Sequence, residues 1–132
     1  MTQFEKTLKY LKDSATENLQ ASEHLFKGSH YGPCLFFCHL SLEKLLKAIL
    51  VYKQNAPAPY IHSLTRLAEL ADIPLTRQQE KNLKEISDFN ISGRYDDEKR
   101  AFYKKCTRTY SQKYLNITKQ LFLWLKNSYL KK

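Results

Sequence analysis

The stretch YGPCLFFCHLSLEKLLKAILVY, residues 31–52, decides how the rest of the chain must fold. Tyr31, Leu35, Cys38, Leu42, Leu45, Ile49 and Tyr52 recur at steps of three and four, the spacing of one helical face. Phe36, Phe37, Leu40, Leu46 and Leu50 make much of the remaining circumference apolar as well, so this helix needs neighbours on several sides. Pro33 falls in its first turn, where a missing N–H costs nothing and a fixed φ suits the helix. A central helix over 31–52 is the organising element.

On its N-terminal side, Phe4, Leu8, Leu11, Ala15, Leu19, Ser22 and Phe26 form the stripe of an amphipathic helix. Gly28 follows it, placed to take the left-handed conformation that closes a helix end. On the C-terminal side, Pro57 and Pro59 turn residues 55–60 into a connection. Leu64, Leu67, Ala68 and Ala71 then suggest a short helix. Thr76 is placed to cap another whose apolar face is Leu83, Ile86 and Phe89, and residues 90–93 break it. Tyr103, Cys106, Tyr110, Tyr114, Ile117, Leu121, Trp124 and Ser128 predict one further long helix from Asp96 onward, with Tyr103 facing the core and Lys131 and Lys132 as a frayed tail. Residues 1–132 therefore read as a single all-α domain, an up-and-down bundle of three long and two short helices.

Charge narrows the partners. Against 13 acidic residues stand 22 Lys and Arg, a net +9 that gathers polyanions such as nucleic acid or nucleotide. The odd set Cys34, Cys38 and Cys106, with no apolar leader, fits a reducing cytoplasm, and no apolar run approaches the roughly 20 residues of a membrane span. Cys34, Cys38, His39 and His30 superficially suggest a metal, but no second pair completes a tetrahedral set, so neither metal nor cofactor is expected.

Two groups of side chains can carry chemistry. His39, Glu43 and Lys47 follow one another at four-residue steps along one flank of the central helix, within reach of one another; an ordinary stabilising Glu and Lys pair accounts for that spacing equally well. Further on, Arg94, Lys99, Arg100, Lys104, Lys105 and Arg108 form a basic cluster able to hold phosphate oxygens, with Tyr95 and Phe102 available for stacking. Asp96, Asp97 and Glu98 suit the first turn of the last helix, where the dipole favours anions.

Tyr31, the run Cys34 to His39, and the pattern Glu43, Lys44, Leu46, Lys47, Ala48 resemble the HEPN family, and His62, Ser63, Leu64 followed later by Arg94 and Tyr95 extend the resemblance over roughly residues 15–127. It implies a helical bundle that pairs into a homodimer, with a cleft near the Arg motif that meets nucleotide or RNA, sometimes beside a nucleotidyltransferase partner in a toxin and antitoxin pair. It singles out Arg94, Tyr95, Lys99 and Arg100 for binding, with His39, Glu43, Lys47 and His62 as supporting motif positions. Many members are metal-independent ribonucleases in which a His follows the Arg after about four to six residues and moves the proton. Here Tyr95, Asp96, Asp97, Glu98, Lys99, Arg100, Ala101 and Phe102 follow Arg94 without a His. Binding is therefore expected in place of cleavage; a ribonuclease using His62 or His39, and a purely structural dimer, are the alternatives.

Overall fold

The computed structural model describes residues 1–130; Lys131 and Lys132, the expected frayed tail, lie outside the described residues. Six helices follow in order: α1 (Gln3–Lys27), α2 (Tyr31–Gln54), α3 (Leu64–Leu70), α4 (Arg77–Ser87), α5 (Asp96–Lys105) and α6 (Arg108–Tyr129). No strand occurs among the described residues. The central helix is α2, and α1 and α6 make its most extensive contacts. Leu35, Leu42, Leu46 and Ile49 are wholly buried, each worth about 2 kcal/mol on leaving water.

Local chemistry explains most of the boundaries. Thr2 caps α1 by accepting from the Glu5 N–H at 3.0 Å while Glu5 accepts from the Thr2 N–H at 2.8 Å, and Thr76 and Gln79 repeat the exchange at α4. Gly28, expected to turn left-handed, instead has φ −85°, and Ser29 takes φ +64°. The His30 N–H reaches back to the Leu25 carbonyl at 2.8 Å and that of Ser29 to Phe26 at 3.0 Å, a closure that puts the positive φ one residue later than the glycine. At the other end of α2, Asn55 occupies the left-handed region with φ +52°.

The helix expected to run unbroken from Asp96 is two helices, so the bundle has three long and three short elements. Cys106 closes the first and Thr107 caps the second: its hydroxyl accepts from the Tyr110 N–H at 3.1 Å, satisfying a donor at the N-terminus of α6. The Cys106 thiol turns inward to the Phe102 carbonyl at 3.1 Å. The break shifts the phase of the stripe, and α6 buries Ser111, Tyr114, Leu115, Thr118, Leu121, Phe122 and Leu125, leaving Ser128 exposed. Tyr103, expected in the core, is 48% exposed, and Tyr52 is exposed as well. The Tyr103 ring lies across Gly32 of α2, in the space a Cβ there would occupy.

Candidate functional site

The expected residues gather in two places. The first is the flank of α2 that faces the connection between α2 and α3. Glu43 is buried, and its Oε2 accepts from Lys47 Nζ at 2.9 Å and from His62 Nδ1 at 3.0 Å. One turn earlier, the wholly buried His39 donates through Nε2 to the His62 carbonyl at 3.0 Å, with Glu43 Oε1 3.4 Å away. A carbonyl can only accept, so the proton sits on Nε2 and leaves His39 Nδ1 as a buried acceptor without a partner. Three positions, separated by up to 23 residues, thus gather around one carboxylate.

The titration of this group follows from its surroundings. Burial pushes the Glu43 carboxyl up, but the hydrogen bonds from Lys47 and His62, with His39 nearby, outweigh it and hold the group below its ordinary range. Burial dominates at His39 and lowers its pKa despite the opposing pull of the His62 carbonyl and Glu43. At neutral pH the cluster holds an ionised carboxylate at Glu43 and a neutral buried imidazole at His39. His62 differs from the other three in that its side chain is 63% exposed.

The second place is the loop between α4 and α5 and the start of α5. Gly93 adopts φ +81° and brings Arg94 round so that its Nη2 donates to the Asp88 carbonyl at 2.9 Å, on the C-cap of α4. An open groove of about 620 Å³ follows, lined by Asp88, Phe89, Arg94, Glu98, Ala101, Phe102 and Lys105. Its aromatic floor is tightly packed, with Phe89 and Phe102 rings 5.8 Å apart and both nearly covered. Among the described residues Arg94 has no carboxylate partner, whereas Lys105 is paired with Glu85 at 2.9 Å and Glu85 also accepts from the Tyr110 hydroxyl. Those two hydrogen bonds, Tyr110's first, hold the Glu85 carboxyl below its usual range.

Arg94 therefore lies where the sequence places it, but its expected companions do not all join it. Tyr95 is 80% exposed and is not among the residues that line the groove, while its N–H bonds to Glu98 Oε1 at 3.1 Å. Lys99 and Arg100 lie on α5 outside the groove lining, and the cation that does line it beside Arg94 is Lys105. Asp88 left no trace in the sequence because its backbone, not its side chain, holds Arg94. The Ser87 hydroxyl next to it accepts from the Leu64 N–H at 2.9 Å, so the end of α4 anchors both the His62 loop and Arg94.

No group of three or more His, Cys, Asp or Glu side chains among the described residues is placed to hold a metal ion. Cys34, Cys38 and Cys106 are free and buried, and burial pushes the Cys106 thiol up to about 11. Among the described residues no helix is long and apolar enough to cross a membrane.

No curated protein and no solved structure matches the chain. Residues 8–128 match the family model described as the HEPN domain, a span that takes in α2 with its Glu43 cluster, the His62 turn and the Arg94 loop. With nearly the whole helical bundle inside that match, the chain belongs to the HEPN family.

Proposed function

We propose that this HEPN domain binds nucleotide or RNA through the groove beside Arg94, acting as a homodimer. The observation that carries the reading is a guanidinium fixed by one backbone carbonyl, without a carboxylate to neutralise it, on the rim of an open groove in a protein of net charge +9. A guanidinium so held keeps donors for phosphate oxygens and loses little side-chain freedom on binding. Lys99 and Arg100 on the neighbouring helix surface, and the exposed ring of Tyr95, extend the positive and stacking surface beyond the groove. Because no histidine lines the groove, binding is favoured over cleavage there. Pairing with a nucleotidyltransferase in a toxin and antitoxin system is the setting this reading favours, and finding a nucleotidyltransferase gene next to this one would support it.

Titrating labelled RNA and ATP against the wild-type protein and Arg94→Ala tests the site. Binding weakened about tenfold or more in the variant is expected, since one phosphate contact by Arg is worth on the order of 1.5–3 kcal/mol. Equal binding by both proteins, or by neither, contradicts it. The same samples incubated in EDTA and run on a gel separate binding from cleavage, with intact RNA as the expected result.

A further inference from the structure

His62 is held more tightly than an exposed loop residue needs to be. Its backbone carbonyl is fixed by His39 at 3.0 Å and its ring Nδ1 by Glu43 at 3.0 Å, yet its side chain is 63% exposed. Glu43 in turn is kept ionised inside the fold by Lys47, 2.9 Å away. An ionised carboxylate only accepts, so of the two neutral tautomers of His62 the one this bond selects carries its proton on Nδ1 and its lone pair on Nε2. Two other histidines, His24 and His30, are also exposed, but among the described residues neither is paired with a carboxylate. A structural tie alone would be served by turning the ring inward; here the carboxylate is buried and the imidazole faces out.

We propose that His62 Nε2 is a phosphoryl-accepting nucleophile toward donors of the phosphoramidate or acyl-phosphate class, oriented by Glu43. The Nε2 lone pair attacks phosphorus and the bond from phosphorus to the leaving group breaks; with phosphoramidate the nitrogen departs as ammonia, taking the electron pair of the broken bond. The ring becomes an imidazolium that bears the phosphoryl group on Nε2 and keeps its proton on Nδ1. Its positive charge forms against Glu43 Oε2, the way a buried carboxylate steadies an imidazolium in hydrolytic triads. The added phosphoryl dianion faces a protein of net charge +9. This site is independent of the Arg94 groove and stands or falls without it.

The test is to incubate the full chain with potassium phosphoramidate and follow the phosphoryl mass on each histidine by tandem mass spectrometry, with phosphorus NMR to identify the ring nitrogen. His62 is expected to be labelled at Nε2 about tenfold faster than His24 or His30, Glu43→Gln to bring it down to their rate, and His62→Gln to remove the fast label. Labelling of the three exposed histidines at equal rates in the wild-type protein overturns the proposal without relying on any variant to fold. So does an unchanged His62 rate in a folded Glu43→Gln protein, or attachment at Nδ1.

Discussion

The Glu43 cluster and the Arg94 groove use similar residues for opposite ends. Around Glu43 the charges pair with one another against the core: one buried carboxylate oxygen serves Lys47 and His62, and His39 clasps the loop that carries His62. Around Arg94 the charged side chains face an open groove, and the guanidinium is tied only to a carbonyl. Burial makes a broken pair costly and an exposed one cheap. The first region should therefore answer substitution with a change in stability, and the second with a change in binding.

The largest effect is expected from Glu43→Ala, which strands Lys47 and frees the His62 ring: a loss of about 3 kcal/mol in urea unfolding, against little change in affinity per folded molecule. A loss under about 1 kcal/mol would erase the contrast between the regions. Acid should act on the same cluster. Glu43 has a depressed folded pKa, so its contribution is complete above the ordinary value of 4.5 and is lost as pH falls through the folded value. His39 is depressed too, so below 6.5 the unfolded chain takes up a proton that the folded chain refuses, and stability falls until His39 itself protonates. Thermal unfolding should shift steadily downward from pH 7.5 to about 4, and His39→Asn should flatten the upper part of that slope. Thr107→Ala removes the cap that separates α5 from α6 and should cost about 1 kcal/mol by the same urea measurement. Smallest is Arg94→Ala, expected within about 0.5 kcal/mol of wild type because only an exposed bond to a carbonyl is lost.

The contrast also marks what a sequence can and cannot reveal. Apolar stripes made α1 and α2 legible, since burial enforces their period, and Thr76 announced α4 through its cap. The division at Cys106 and Thr107 was hidden because the stripe continues across it in number while the cap resets its phase in space. Tyr103 misled for a related reason: it follows the stripe of the unbroken helix but rides over Gly32, whose role depends on a contact 71 positions away in the chain, far beyond local periodicity. Of the candidate sites, His39, Glu43 and Lys47 were visible from their spacing, but that His62 completes them depends on tertiary closure. The groove was legible at Arg94, Phe102 and Lys105; Lys99 and Arg100 are basic by sequence but lie outside it, and Asp88 contributes a carbonyl that any residue would supply.

The measurement that bears most directly on the central claim is fluorescence anisotropy of a labelled RNA titrated with wild-type protein and Arg94→Ala, both first shown to be folded by their unfolding curves. Saturable, salt-sensitive binding by the wild type is expected, weakened about tenfold or more in the variant at unchanged stability. Identical curves, or no binding by the wild-type protein at low salt, would contradict it.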